Sequence, residues 1–135
     1  MAWKFRTYIA PTGRTDVQKS IDKATGAITE HLKVAVRYLA NTSKIDWHEP
    51  SAKKLQGVKE IYEIRFKAEN KQYRPLGFFG PGPNDFTIVV WAKKKQNIYD
   101  PPSAIETAVR RRQEIIDGIA ANAPLEIDGE EFPPP

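Results

Sequence analysis

The 135-residue sequence contains no cysteine, and only two of its residues are histidines. The lack of cysteine excludes disulfide bonds, thiolate zinc sites and cysteine nucleophiles, and it fits a reducing compartment. No apolar run approaches the roughly 18 residues that a membrane-spanning helix needs. The first 14 residues also lack the continuous apolar stretch of a secretory signal. We therefore expect a cytoplasmic protein that does not associate with membranes.

The common catalytic and metal-binding motifs are missing as well. The segment Gly80-Pro81-Gly82 lies between strand-like segments rather than before a helix, so it does not predict a phosphate-binding loop. His31 lies beside a helical apolar stripe and is expected on a helix surface, whereas His48 lies in a loop and either contacts a substrate or is solvated. Neither histidine has the carboxylate neighbours of a metal site, so we expect no metal and no cofactor.

Charge is distributed unevenly along the chain, whose formal net charge is +4. Residues 53–112 contain 13 basic and 6 acidic side chains, whereas residues 113–135 contain 6 acidic side chains and no basic ones. A basic central region is typical of a surface that binds a polyanion. It is equally typical of a solvated surface on a domain that binds nothing anionic, so charge alone leaves both interpretations open.

Apolar periodicity predicts an α+β fold with the element order β-α-α-β-β-β-α. Thr15 to Gln18 resembles a capping box at the start of the first helix. The continuous apolar run at 86–92 predicts a central strand covered on both faces, and Pro75 predicts an edge position or a bulge. The three later strands are expected to form a small antiparallel sheet with the helices against one face. We expect residues 1–123 to form one domain and residues 124–135 to form an acidic, proline-rich, flexible tail.

Lysine, arginine and tyrosine residues are concentrated at the ends of the predicted strands. They are Lys53, Lys54, Arg65, Tyr73, Arg74, Lys93, Lys94 and Lys95. Strand ends of an antiparallel meander lie close together, and clustered cations suit a phosphodiester, because they neutralise charge that develops in the transition state. Tyr73 has the chemistry either to stack on a base or to transfer a proton. The alternative is that these charges only keep the sheet edges soluble.

Several short motifs occur in a characteristic order. They are Lys54-Leu55-x-Gly57, Tyr62-Glu63-Ile64-Arg65, Tyr73-Arg74, Trp91-Ala92-Lys93-Lys94 and Pro102-x-x-Ile105-Glu106-x-Ala108-x-x-Arg111. Together they resemble the RelE/ParE toxin superfamily, and most closely its phage-derived, HigB-like branch. The resemblance covers about residues 3 to 116. It implies a curved antiparallel sheet with an N-terminal strand and helical hairpin packed on it, followed by a C-terminal helix.

The resemblance also implies a function, the toxin of a type II toxin–antitoxin pair. Such toxins are mRNA interferases, which cut messenger RNA on the ribosome without a metal. The RNA 2′-hydroxyl attacks its own phosphate while a base removes the proton, cations hold the phosphate and an acid assists the leaving oxygen. The implied partner is a cognate helix-turn-helix antitoxin. ParE-type relatives instead inhibit gyrase, so the alternative is a non-catalytic gyrase inhibitor or phage-encoded binder of a host partner.

By position, the resemblance assigns four basic residues to catalysis. Arg65 and Arg74 correspond to arginines that hold the phosphate, and Lys54 and Lys94 correspond to lysines beside the cleavage site. The residues expected to bind RNA are Lys53, Tyr73, Lys93, Lys95 and Arg111. The sequence does not determine which of the three lysines at 93–95 faces the cleft. The alternative for Arg65 is a structural salt bridge with Glu63 or Glu106.

Three features depart from the family pattern. Residues 97–100 lengthen the connection before Pro102, and Tyr99 within them either replaces a C-terminal tyrosine of the family or packs the loop. The acidic segment 126–132 either lies over the basic cleft or extends into solvent. Pro75, directly after Arg74, is able to shift that arginine.

Overall fold

The computed structural model describes residues 2–135, and Met1 lies outside them. The helices are α1 (Asp16–Lys23), α2 (Gly26–Ala40) and α3 (Ala104–Ile116), with a short 3₁₀ turn at Lys44–Asp46. The strands are β1 (Lys4–Ile9), β2 (Ala52–Lys54), β3 (Tyr62–Ile64), β4 (Phe66–Ala68), β5 (Lys71–Tyr73), β6 (Leu76–Phe79), β7 (Asp85–Val90), β8 (Lys93–Lys95), β9 (Ile98–Asp100), β10 (Ala121–Pro124), β11 (Glu126–Ile127) and β12 (Glu130–Glu131). The predicted α+β class is confirmed. No helix in the described part of the chain is long and apolar enough to cross a membrane.

The main sheet has six strands in the order β10-β1-β7-β6-β3-β2. β1 runs parallel to β7, whereas the other neighbouring strands of this sheet are antiparallel. The sheet is therefore mixed, and it differs in this pair from the antiparallel sheet expected from the sequence. β7 lies inside the sheet and is buried from Phe86 to Val90, so the prediction of a covered central strand is confirmed.

A second sheet has the order β4-β5-β8-β9 and continues three strands of the main sheet. The chain passes from one sheet to the other at Arg65, at Arg74-Pro75 and at Trp91-Ala92. Pro75 has no backbone N–H to donate, and the register of β6 against β7 shifts just after it, between Leu76 and Gly77. The irregularity that Pro75 predicts is therefore confirmed.

Gly77 is required at this shift because a Cβ there would collide with the carbonyl oxygen of Thr87. The register shift therefore lies where the backbone of β7 leaves no room for a side chain on β6. The consequence for function is that Arg65 and Arg74 both lie at the junction between the two sheets.

Two tight hairpins close the second sheet. The turn between β4 and β5 has positive φ values at Glu69 (51°) and Asn70 (61°), and the turn between β8 and β9 has them at Gln96 (52°) and Asn97 (65°). Two consecutive left-handed residues are typical of type I′ turns, which match the twist of the flanking strands. The extra residues at 97–100 therefore form a hairpin strand rather than an irregular loop.

An aromatic core fills one face of the main sheet. Trp47, from the connection after α2, lies 4.6 Å from the ring of Phe79 and 4.7 Å from that of Phe86, and it stacks on Phe5 at 6.0 Å. The indole Nε1 of Trp47 donates to the carbonyl of Thr42 at 3.0 Å, which satisfies its polar atom. α2 packs along this side, where its Ile28 contacts Ala68 and Tyr73 in the second sheet.

α3 packs on the opposite face. Its Arg111 and Arg112 lie over the rings of Tyr8 and Phe78 at 4.5 and 5.7 Å. Tyr8 and Phe5 are an odd number of residues apart on β1, so they point to opposite faces of the sheet. The helices therefore cover both faces, whereas the sequence analysis expected them on one. The continuous burial of β7 follows from this double cover.

The C-terminal segment also differs from the expected flexible tail. β10 pairs with β1, placing Pro124 opposite Arg6, and β11 and β12 form a small hairpin. Leu125, Ile127 and Phe132 are buried in the main core. The acidic residues between them are exposed, and burial alternates with period two only from Leu125 to Asp128. This stretch is too short to predict a strand within an acidic, proline-rich segment.

A reciprocal hydrogen-bond pair fastens this segment to α1. The Gln18 side chain donates to the Glu126 carbonyl at 2.8 Å and accepts from the Glu126 amide at 3.0 Å. The predicted capping box is therefore wrong, because Gln18 binds a distant strand and the Thr15 side chain makes no capping hydrogen bond. Asp128 pairs with Lys33 on α2 at 2.9 Å. The acidic residues Glu126 and Asp128 thus lie against α1 and α2, not over the basic junction of the sheets.

Candidate functional site

A buried carboxylate, Glu63 of β3, lies at the centre of the junction between the sheets. Glu63 is 0% exposed, and the Tyr99 hydroxyl donates a 2.6 Å hydrogen bond to its Oε1. Lys94 Nζ lies 3.4 Å and Arg74 Nε 3.9 Å from the same oxygen. Arg65 Nε lies 3.8 Å from Oε2. We call these five residues the Glu63 cluster.

Strand alternation explains why these residues meet. Glu63 and Arg65 are two residues apart in one extended segment and so share a face. Lys94 lies directly opposite Tyr99 in the β8–β9 hairpin, and cross-strand neighbours of this kind lie side by side. Arg74 occupies the interruption between β5 and β6, which places it between these two pairs.

Arg74 is held mainly by backbone oxygens. The residue is 7% exposed, and its Nη1 donates to the Tyr73 carbonyl at 2.7 Å. Its Nη2 donates to the Gln72 side chain at 3.1 Å. Burial, and secondarily the like charge of Arg65, lower the pKa of the Arg74 guanidinium, while Glu63 opposes this shift. Among residues 2–135, Arg74 Nε and Glu63 Oε2 have no hydrogen-bond partner.

Arg65 connects the cluster to an exposed carboxylate. Its Nη1 donates to Glu49 Oε1 at 2.7 Å, and Lys53 Nζ lies 3.7 Å from the same oxygen. The hydrogen bond and charge of Arg65, assisted by Lys53, hold the pKa of Glu49 below its usual value. Within the described chain Arg65 forms ion pairs with Glu49 and Glu63. Of the two salt-bridge partners that the sequence left open, Glu63 is thus the one it contacts.

Lys94 and Tyr99 face each other across the hairpin. Lys94 Nζ lies 4.5 Å from the centre of the Tyr99 ring, which is a cation–π contact. Burial, the hydrogen bond to Glu63 and the charge of Glu63 raise the pKa of the Tyr99 hydroxyl, so it keeps its proton. Lys94 is the lysine of the 93–95 run that faces the cluster, since Lys93 and Lys95 alternate to the opposite side.

An accessible groove of about 450 Å³ lies beside the cluster. It is lined by Glu49, Pro50, Arg65, Phe66, Lys67, Gln72 and Arg74. Lys67 is exposed and lies opposite Gln72, which in turn lies opposite Lys94. Lys67 was not predicted as a site residue, although its spacing of two residues from Arg65 in an extended segment places both on one face. We call Lys53, Arg65, Lys67, Arg74 and Lys94 the cationic face; it carries more positive charge than Glu49 and Glu63 can balance.

Lys54, one of the predicted catalytic residues, is not part of this arrangement. In β2, Lys53 lies opposite Glu63, and Lys54 lies opposite Tyr62 on the other side of the sheet. Lys54 Nζ lies 3.5 Å from Glu60. Its neighbour Lys53, expected only to bind RNA, is the lysine that the strand register brings to the cluster.

Tyr73 and Arg111, both expected to bind RNA, lie in packed surroundings. Tyr73 is buried and stacks on Phe66, with ring centres 5.2 Å apart and planes inclined by 9°. Arg111 donates to the Val89 carbonyl at 2.8 Å and to Asp16 at 3.0 Å. Neither side chain contacts the groove, because strand parity turns Tyr73 toward α2 and α3 holds Arg111 against β7.

Lys93 and Lys95 border a separate groove on the other side of the second sheet. This groove, of about 390 Å³, is lined by Glu69, Asn70, Lys71, Lys93, Lys94, Lys95 and Asp100. Lys93 and Lys95 are available to an anionic partner there but form no ion pair with Glu63 in the described chain, whereas Lys94 borders this groove and also lies 3.4 Å from Glu63 Oε1. His48 is exposed, its Nδ1 lies 3.0 Å from the Glu49 carbonyl, and it is not among the residues that line the groove beside the cluster. His31 is exposed on α2, as expected.

The fold and the site together define a small α+β protein whose cationic groove lies where two sheets meet. Residues 19–113 match the model of the phage-derived Gp49-like protein family (DUF891). This is more than half of the chain, and the protein therefore belongs to that family, a toxin-like family of the RelE/HigB type. The matched segment runs from α1 into α3 and contains the whole Glu63 cluster. No curated protein and no solved structure matches this chain.

Proposed function

We propose that this protein is the toxin of a type II toxin–antitoxin pair and that it cleaves messenger RNA on the ribosome. Membership of a toxin-like family supports the first part. The observation that carries the second part is the convergence of Arg65, Arg74 and Lys94 on one buried carboxylate beside an open groove. Clustered, fixed cations are what stabilises a phosphodiester as charge develops on it.

In this scheme the RNA 2′-hydroxyl attacks the adjacent phosphorus, a cyclic phosphate forms and the 5′-oxygen leaves. Arg65 lines the groove with a side chain that is 26% exposed. Lys94 does not line it, but its side chain is 23% exposed and lies beside Glu63, so in this scheme it approaches the phosphate from the edge of the groove. Arg74 also lines the groove, but it is 7% exposed and held by the Tyr73 carbonyl, so in this scheme it contributes mainly charge. Arg65 offers paired N–H donors to the phosphate oxygens, and Lys94 offers its ammonium to the leaving oxygen.

The proton of the 2′-hydroxyl needs an acceptor. Tyr99 is unsuited, because its hydroxyl already donates to Glu63 and its pKa is raised. Glu49 is the carboxylate that lines the groove, and we assign it this role. Arg65 lowers the pKa of Glu49, which makes it a weak base, so electrostatic stabilisation carries most of the rate enhancement in this scheme.

A second candidate function is non-catalytic binding of a protein, as a gyrase inhibitor or as a binder of a host partner. The observation that favours it is the position of Lys54 and Tyr73, two residues of the expected RNA site that lie outside the groove. A cationic surface without a complete set of reacting groups still binds an acidic partner.

Induced expression in bacteria, with growth and primer-extension mapping followed together, tests the two candidates. We expect growth arrest with cuts inside translated codons, and loss of both for Arg65→Ala and Lys94→Ala. These side chains are partly exposed, so their removal spares the fold, whereas Arg74→Ala would leave buried carbonyls without a donor. Lys23→Ala, an exposed change at the end of α1, is the control.

Each outcome has a distinct meaning. Arrest with intact transcripts would replace the nuclease by the binding candidate. A wild-type protein that causes no arrest would contradict both forms of toxicity. A cognate helix-turn-helix antitoxin is the proposed partner, and its co-expression should restore growth to cells that make the wild-type protein.

A further inference from the structure

Each cation of the Glu63 cluster has an anchor other than Glu63. Arg65 is held by Glu49 at 2.7 Å. Arg74 is held by the Tyr73 carbonyl at 2.7 Å. Lys94 lies over the Tyr99 ring at 4.5 Å. The fully buried carboxylate is therefore not needed to place these cations, and another role must explain its position.

Glu63 supplies negative charge where like charges are forced together. Arg74 is nearly buried beside Arg65, and the pKa of its guanidinium is lowered by burial and by that neighbour. A buried carboxylate offsets the cost of such a group of cations. A bound phosphate would bring the same charge to the same cations, so the two anions compete.

We propose that Glu63 is a built-in counter-ion, which stabilises the ligand-free site and competes with a bound phosphate group for Lys94 and Arg65. Tyr99 weakens this competition, because its hydroxyl donates to Glu63 Oε1, the same oxygen that lies nearest Lys94. That the phosphate belongs to RNA rests on the proposed function, whereas the competition itself rests on the geometry of the cluster.

Glu63→Gln separates this role from an ordinary structural one, because stability and affinity should move in opposite directions. The amide keeps a carbonyl oxygen that can accept from Tyr99, so mainly the charge is removed. We expect a lower urea midpoint, since three cations lose their counter-ion. We also expect binding of the phosphate probe to tighten about tenfold, because a competing anion is gone.

Tyr99→Phe should act in the opposite sense on affinity. It keeps the ring beneath Lys94 but removes the hydroxyl donor, so Glu63 Oε1 is freed to hold Lys94 more firmly. We expect binding to weaken about threefold, and we expect that loss to disappear when the change is made in the Glu63→Gln background. Such non-additivity would tie the effect of Tyr99 to Glu63.

Two probes measure affinity: a fluorescein-labelled 2′-O-methyl RNA oligonucleotide, which cannot be cleaved, and inorganic tripolyphosphate, followed by the rise in Tm. Glu30→Gln on α2 removes the same charge from an exposed site that pairs with Lys33, and it controls for net charge. The competition is supported if Glu63→Gln tightens binding while Glu30→Gln leaves it unchanged.

The outcomes distinguish this proposal from the proposed function. If tripolyphosphate follows the expected pattern and RNA does not bind, the counter-ion role stands and RNA is the wrong ligand. If Glu63→Gln binds either probe no more tightly than the wild type, the counter-ion role is overturned whatever the protein cleaves. Wild-type protein that binds neither probe would overturn both proposals. If Glu63→Gln does not fold, the Tyr99→Phe variant tests the proposal by itself. Binding of the probes by Tyr99→Phe that is as tight as wild type or tighter would overturn the proposed competition.

Discussion

Two clusters in this molecule are built from the same parts. In each, a tyrosine hydroxyl donates a 2.6 Å hydrogen bond to a glutamate, and a cation lies 4.5 Å from the centre of the tyrosine ring. The first cluster consists of Tyr8, Glu114 and Arg111, and the second of Tyr99, Glu63 and Lys94. Despite their similar composition, the two clusters differ in how their charges are balanced.

The difference lies in the number of cations that share one carboxylate. The Arg111 guanidinium donates to Asp16 and to the Val89 carbonyl, so both of its terminal nitrogens are bound within the fold. Glu63 instead faces Arg65, Arg74 and Lys94 together, and a groove opens beside them. Positive charge left over at an accessible surface, rather than the presence of arginine and tyrosine, marks a site for an anionic ligand.

The largest effect expected from this contrast concerns Arg111. Arg111→Ala removes the Arg111 donor from the Val89 carbonyl and leaves Asp16 paired with the exposed Arg14 alone among the ion pairs of the described residues, and we expect it to cost about 3 kcal/mol of unfolding free energy. Affinity of the folded variant for the RNA probe should stay unchanged. Arg65→Ala should do the reverse, with a cost of about 1 kcal/mol or less and a large loss of affinity. Urea unfolding measures the free energy of unfolding, and fluorescence anisotropy measures affinity for the RNA probe. If Arg111→Ala and Arg65→Ala lost affinity equally, the two clusters would not differ in function.

A smaller effect is expected at alkaline pH. Burial and the hydrogen bond to Glu114 raise the pKa of Tyr8 from 10.0 to about 12. Below pH 10 both states keep the proton and the contribution of Tyr8 is fully present. Between pH 10 and 12 the unfolded chain ionises first, and about 2 kcal/mol is lost. Urea unfolding at a series of pH values should show this loss reduced in Tyr8→Phe. Tyr38→Phe, at an exposed position on α2, should leave it unchanged.

Lys67 and Lys71 form a matched pair within one hairpin. Both are exposed, but Lys67 lies opposite Gln72 on the cationic face and Lys71 lies opposite Ala68 on the other. Lys67→Ala should weaken binding of the RNA probe about threefold and reduce the salt slope by about 0.7, the value for one phosphate contact on a single strand. Lys71→Ala should change neither. Anisotropy titrations at several salt concentrations test this. Identical salt slopes for Lys67→Ala and Lys71→Ala would show that the RNA does not bind at the cationic face.

The smallest effect is expected for Lys54→Ala. Its pair with Glu60 is exposed, so the change in unfolding free energy should be about 0.5 kcal/mol or less. Growth arrest and RNA affinity should match those of the wild type, whereas Lys53→Ala should weaken binding. Growth of cells that express Lys54→Ala or Lys53→Ala, compared with cells that express the wild type, tests this prediction. If Lys54→Ala alone abolished toxicity, the role implied by the family resemblance would be right and the register-based placement of Lys53 would be misleading.

Local pattern was sufficient for several parts of the structure. The apolar run at 86–90 predicts a covered strand whatever its neighbours are, because burial on both faces needs only its own residues. Pro75 predicts an edge position or a bulge from its missing N–H, and the register shifts just after it. The short motifs around Arg65, Arg74 and Lys94 also led to three residues that do converge, although their chemistry stays a prediction.

Other features depend on partners far along the chain. The choice between Lys53 and Lys54 is set by the register of a three-residue strand, and a slip of one residue would exchange their faces. Tyr73 is buried because α2 brings Ile28 against it, which no local pattern reveals. Gln18 binds the Glu126 backbone across 108 positions. Buried Glu63 was identified only as a partner of Arg65, since its burial depends on both sheets.

The position of β1 in the sheet has a consequence for synthesis of the chain. This early strand pairs with β7 and β10, both of which are made late. Such non-local pairing makes folding slow and leaves strand edges open in the meantime. A chain interrupted between residues 95 and 120 would carry the charged residues up to Lys95 but lack β10, which pairs with β1. Premature termination should therefore yield an aggregation-prone fragment instead of a shorter active protein.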